Sequence, residues 1–147
     1  MNSITLRFLA EPSSINLGGK VPGSSIMKWI QEAGYACATR WAKCDCVTVS
    51  VGGIRFEHPV MAADLVEVEA HLAYTGKTSM NIAVEVRSGA LKTGTLNKIT
   101  SCLVVFVCVD STGKPMPVEA LMPATPGDIA LAQRVKAYLH TSRLGAP

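Results

Sequence analysis

Between Ser24 and Ala42 apolar side chains recur at helical spacing: Ile26, Ile30, Ala33, Cys37 and Trp41. Met27, Gly34, Ala36 and Ala38 widen that stripe around most of the circumference, which predicts a helix buried nearly all round. Its many small residues let a sheet come close. Elsewhere the pattern has a period of two. Ile4 to Leu9 reads as a short first strand. From Cys46 to Phe56, Val47, Val49 and Val51 alternate with Thr48 and Ser50. Gly52-Gly53 then predicts a bulge or a close backbone approach, Ile54 and Phe56 resume, and Pro59 ends the strand. Asp64 to Thr75 turns Val66, Val68, Ala70, Leu72 and Tyr74 inward and Glu67, Glu69 and His71 outward. Gly76-Lys77 signals a hairpin into Met80, Ile82, Val84 and Val86, which sets Glu67 or Glu69 opposite Arg87. Thr100 to Val109 is apolar on both faces and predicts a central strand covered on both sides. Pro126 to Leu139 reads as a C-terminal helix.

This order defines an α+β fold. An antiparallel sheet of about five strands wraps a long central helix, with a further helix at the C-terminus. Residues 1–147 form one domain, since neither a linker nor a repeat interrupts them. The chain is 48% hydrophobic and 17% charged, too apolar for disorder. Its net charge of +3 suits an anionic small ligand, and no basic stripe interleaves with aromatic residues as nucleic-acid binding requires. No apolar run approaches the ~20 residues of a membrane span, and no basic and apolar leader opens the chain. The five cysteines are odd in number and three lie in apolar runs, so all are expected as free thiols in a reducing cytoplasm. Cys44-Asp-Cys46 is half a metal site with no second pair at zinc spacing, so no metal is expected.

The candidate chemistry lies at the start of the long helix. Gly18, Gly19 and Gly23 form a flexible turn, and Ser24 or Ser25 is placed to cap the first helical turn. The N–H groups of Gly23 and Ser24 lie where the helix dipole favours negative charge, as in an ordinary cap or in a site for an oxyanion. Asn16 either holds a water or stabilises its own turn. Gln31 sits on the stripe Met27, Gln31, Tyr35, either exposed or buried with partners. Glu32 points elsewhere and follows Lys28 at i,i+4, the spacing of a surface pair. His58, His71 and His140 are scattered, and Asp64 is suited to shaping a turn.

The chain resembles the hotdog-fold acyl-CoA thioesterases, the cytosolic acyl-CoA thioester hydrolase family, over most of its length. The glycine turn and helix from Asn16 to Trp41 are similar to the family's Asn-x-x-Gly-x-x-x-Gly-Gly and Met-Lys-x-x-Asp/Glu-Glu-Ala-Gly pattern. Val47 to Pro59 resembles its second strand, Gly76 to Met80 its hairpin, and Asp110 to Pro123 its proline-rich tail. The resemblance implies hydrolysis of acyl-CoA to free acid and CoA without a cofactor. It also implies a homodimer, extended in some members to a hexamer, with the active site between subunits. The turn asparagine, here Asn16, comes from one subunit and the helix acid from the other. The helix start, Gly23 and Ser24, polarises the thioester carbonyl. Lys77, Thr78, Ser79 and Arg55, and beyond them Lys92 and Lys98, become candidates for CoA. Two positions depart from the pattern: Gln31 stands where the family carries its acid, and Ser24 replaces the second glycine. An amide cannot take a proton from water near neutral pH. The implied activity is therefore weakened, and a hotdog protein that binds acyl-CoA without turnover is the alternative. A dehydratase on the same fold would need a histidine beside an acid, and no histidine is suitably placed.

Overall fold

Strand alternation and helical periodicity resolve into seven elements in the computed structural model, which describes residues 2–11 and 18–144, the last four by backbone alone. These are β1 (Ser3–Leu9), α1 (Gly23–Ala42), β2 (Cys46–Gly52), β3 (Leu65–Thr75), β4 (Ser79–Gly89), β5 (Asn97–Cys108) and α2 (Pro126–Leu144). The strands form one antiparallel sheet in the order β1-β3-β4-β5-β2. One face meets α1. There Val66, Val68, Val84, Val104 and Phe106 join Ile26, Ile30 and Ala33 in a single core. Each fully buried aliphatic such as Ile30 contributes about 1.5–3 kcal/mol by leaving water. Gly34 lets the helix sit directly on the sheet, because a Cβ there would lie 2.8 Å from Phe106 Cε2. Helix α2 lies against the opposite face. His71 of β3 and Asp128 of α2 meet there, Nε2 to Oδ1, at 3.1 Å.

Several boundaries and faces differ from the sequence reading. Helix α1 starts one residue early, with extended Pro22 as its N-cap and no side-chain cap. Ser24 and Ser25 lie inside the first turn rather than capping it. The helix is not buried nearly all round, for Tyr35, on the stripe with Met27 and Gln31, is 46% exposed. Strand β2 stops at Gly52, and the register shift falls at Val49 instead of at Gly52-Gly53, leaving Ile54 and Phe56 outside the sheet. The glycine pair still serves a close approach: a Cβ on Gly52 would lie 2.7 Å from Tyr138 Oη of α2. In β3 a second shift, between Leu72 and Tyr74, buries Ala73 and moves Tyr74 off the inner face. Tyr74 instead lies beneath Lys136, whose Nζ is 5.5 Å from the ring centroid. β5 is an inner strand, yet it alternates: Cys102, Val104, Phe106 and Cys108 are buried, while Leu103, Val105 and Val107 are only half-buried.

The thiols are not all free. Cys44, in the turn after α1, is bridged to Cys108 at the end of β5, with the two Cα atoms 6.4 Å apart. The partners are 64 residues apart in sequence, so no local pattern announces them. Cys37, Cys46 and Cys102 are unbridged and buried. Burial pushes the Cys37 and Cys102 thiols up to about 11, which keeps them protonated.

On the outer face Glu67 lies opposite Arg87 in the register and accepts hydrogen bonds from Arg7 Nε at 2.7 Å and Arg87 Nε at 3.0 Å. Those bonds hold the Glu67 carboxyl below its usual value of 4.5. A lowered native pKa contributes stability above the ordinary glutamate range, and that stability disappears as pH falls through the native value. Glu67→Gln is expected to lower the urea midpoint at neutral pH and to make the acid decline shallower. Urea titrations between neutral pH and about pH 3 check this.

Candidate active site

Among the described residues no side chain caps the backbone donors at the start of α1. Ser25 and Ile26 N–H reach the Pro22 carbonyl at 3.0 and 3.4 Å, so Gly23 and Ser24 N–H come before the first intrahelical bond. No acidic side chain occupies the first turn to neutralise the dipole. The Phe56 ring lies against this end; a Cβ on Gly23 would be 3.3 Å from its Cε2.

Gln31 is two turns further on. Its Oε1 accepts a hydrogen bond from Thr48 Oγ1 of β2 at 2.9 Å. The pair opens on a cavity of about 330 Å³ lined by Gln31, Glu32, Tyr35, Thr48 and Phe106. The register explains the meeting. Thr48 is opposite Phe106, and both face α1. With Oε1 engaged, Gln31 keeps one lone pair and its NH2 hydrogens for a ligand. Thr48 was not legible as a partner: in sequence it is one polar step of an alternating strand. Glu32 lies beside Gln31 and pairs with Lys28 at 4.0 Å, as its spacing suggested.

The remaining candidates fall at two ends of the sheet. Ser79 is opposite Val107, which is opposite Val47, so the Lys77–Ser79 hairpin lies at the same end as Thr48. Arg55 is at the other end, where its N–H donates to Thr100 Oγ1 at 3.3 Å, close to Phe56 and the start of α1. Gly23 and Gln31 are about 12 Å apart along one helix axis. One chain therefore does not gather these residues into one site. Asn16 lies outside the described residues. Lys92 and Lys98 are exposed, the latter across the outer face from Arg87. His71 is taken up by Asp128, and His58 and His140 are exposed, so none lies at the cavity. Among the described residues no group of His, Cys, Asp or Glu is placed to hold a metal.

A five-stranded antiparallel sheet wrapped on one long helix, with bare helical N–H donors and a polar pair at its free edge, is the hotdog architecture. The profile of the Thioesterase superfamily matches residues 18–95, and the chain belongs to that family. The acyl-CoA thioester hydrolase YciA of Salmonella typhimurium is 34% identical over 78% of this chain and 88% of its own. The hexameric thioesterase y2039 of Yersinia pestis is 32% identical, with a TM-score of 0.74 over 79% of this chain and 94% of its own. An apo-hexameric acyl-CoA thioesterase is 28% identical, with a TM-score of 0.91 over 99% and 95%.

Proposed function

We propose that the protein is an acyl-CoA thioester hydrolase, releasing free acid and CoA, that works as a dimer of single hotdog domains spanning residues 1–147. The observation that carries this reading is the Gln31–Thr48 pair in an open depression that Tyr35 and Phe106 also line. The names of its relatives support it. Thioester hydrolysis needs a held water, a group to draw off its proton and donors for the oxyanion. Gly23 and Ser24 N–H take the donor role. Gln31 and Asn16 hold the water or the thioester, and with no basic side chain at Gln31 the proton of the attacking water passes to bulk solvent. No metal or cofactor takes part, the coenzyme moiety belonging to the substrate.

The dimer follows from the sheet edge. β2 is the last strand, carries no charged side chain, and leaves Val47 47% and Val49 60% exposed. Natural edges are blunted by charge or proline against pairing. This one is open to a second copy. A two-fold, antiparallel pairing across β2 sets the Gly52 end of one copy beside the Cys46 end of the other. The start of α1 and Arg55 of one subunit then approach Gln31 and the Lys77–Ser79 hairpin of the next. This accounts for the separation of those groups within one chain. The hexameric relatives support a trimer of such dimers. No helix among the described residues is long and apolar enough to cross a membrane. We place the protein in the cytoplasm, a location supported by the name of the 30% identical cytosolic acyl coenzyme A thioester hydrolase of Mus musculus.

Gln31 also favours a second reading, an acyl-CoA-binding protein with little turnover. An amide with its oxygen engaged by Thr48 offers N–H donors to a thioester rather than a base to water. Free-thiol release from a panel of acyl-CoAs separates the two. Release above the uncatalysed rate supports the hydrolase, and tight binding without release supports the binding protein.

The CoA phosphates lie near exposed Lys77, with Thr78 and Ser79. Lys77→Glu is expected to weaken acyl-CoA binding, and the loss to shrink as salt screens it. Calorimetry giving the same affinity and salt dependence for both proteins would move the phosphates elsewhere.

A further inference from the structure

The floor of the open depression beside Gln31 includes one aromatic ring, held in place by a glycine. Phe106 lines the cavity, yet it is only 1% exposed, so its ring closes the space instead of projecting into it. Its position depends on α1 coming close. A Cβ on Gly34 would lie 2.8 Å from Phe106 Cε2 and 3.2 Å from Cζ, so any larger residue at that turn displaces the ring or the helix. On its far side Phe106 is paired in register with Met80, which is wholly buried, so the wall is backed by packed core. Gln31 and Thr48 fix one side of the cavity, and Thr48 is the direct cross-strand neighbour of Phe106. Such neighbours have Cβ atoms about 5 Å apart.

We infer that Phe106, set by Gly34, determines acyl-chain length and restricts the protein to short acyl groups. The inference rests on the proposed placement of the thioester at Gln31. A chain that starts there and runs across the sheet beneath α1 meets the ring within about one strand spacing. Only a few carbons fit before that stop. Longer chains must expose their ends or displace Phe106, and displacing it disturbs a closely packed core. Shortening the side chain at Phe106 opens room toward Met80, whereas adding a methyl at Gly34 pushes the ring to its open side and shortens the cavity. The two changes act on one contact and move selectivity in opposite directions, which general damage to the fold would not do.

The test uses the full chain, Phe106→Leu and Gly34→Ala, with Phe106→Met in place of the leucine variant if that does not fold. Thiol release is measured on saturated acyl-CoAs of increasing length. Affinity is measured in parallel on the matching S-alkyl-CoA thioethers, which cannot be hydrolysed. One methylene in an apolar pocket discriminates by about 10-fold or more. The long-to-short preference is therefore expected to rise at least about 10-fold in Phe106→Leu and to fall by a similar factor in Gly34→Ala. If the thioether affinities shift in these directions without any hydrolysis, the chain-length inference stands and the hydrolase reading falls. If all three proteins share one chain-length profile, in rate and in affinity, the inference is overturned whether or not they hydrolyse the substrates.

Discussion

Gln31→Asp raises kcat on acyl-CoA by at least about 10-fold, a floor beneath the ~10²- to 10⁴-fold that general-base assistance typically contributes. The wild-type side chain can position a water but has no basic atom with which to deprotonate it. A carboxylate at the same point supplies that atom. The rate should then follow ionisation of the new group, falling as pH drops through the carboxylate range, while the wild-type profile stays flat there. Thr48 refines the expectation. Its hydroxyl now donates to Gln31 Oε1 at 2.9 Å, and a charged acceptor strengthens such a bond. Aspartate is one methylene shorter than glutamine, so Gln31→Glu keeps the reach to Thr48 and Gln31→Asp relaxes it. Stopped-time thiol assays across pH on both variants decide the matter. Folded variants with no gain on any acyl-CoA would remove Gln31 from the chemistry and leave the binding protein as the better account.

Val49→Lys converts the protein to monomers and lowers hydrolysis by about 10²- to 10³-fold. Val49 is 60% exposed on a strand whose outer edge has no partner strand among the described residues. A buried lysine there has no counter-charge on an identical edge brought up by two-fold symmetry. The monomer itself should fold normally, because surface substitutions usually stay within about 0.5 kcal/mol. Activity falls because the oxyanion donors reach Gln31 from the other subunit in the proposed dimer, and losing such a donor typically costs that factor. Sedimentation velocity and thiol release on the same sample check both halves. A monomer with full activity would show that the site is complete within one chain. An unaltered dimer would move the interface away from β2.

The long helix and the alternating strands were legible because burial on one face imposes a period on the sequence. Ile26, Ile30 and Ala33 on α1, and Val66, Val68 and Ala70 on β3, meet the core as that period requires. Their neighbours followed less well where the chain shifts register. The slips at Val49 and after Leu72 exchange the two faces of a strand, and no local signal separates Tyr74 from the apolar residues before it. Thr48 and Cys108 escaped for another reason. Each matters through a partner distant in sequence, Gln31 and Cys44, and only the fold sets the pairs together. Gln31 was identified by resemblance; its polarity alone was equally compatible with an exposed side chain. Tyr35 shows the limit of reading burial from an apolar stripe, since that side of α1 stays open in a single chain.

The start of α1 carries a consequence for how this protein could be made more durable. An N-cap side chain is among the commonest ways to stabilise a helix, worth about 1 kcal/mol, and this helix begins at Pro22 without one. Under the proposed mechanism that omission keeps the N–H donors of Gly23 and Ser24 available to substrate. A polar cap introduced there would compete for one of them, the Ser24 N–H, acting as a tethered inhibitor that raises the melting temperature as it raises KM. Thermal robustness and turnover then draw on the same Ser24 hydrogen, and stabilising changes belong on the far side of the sheet, under α2.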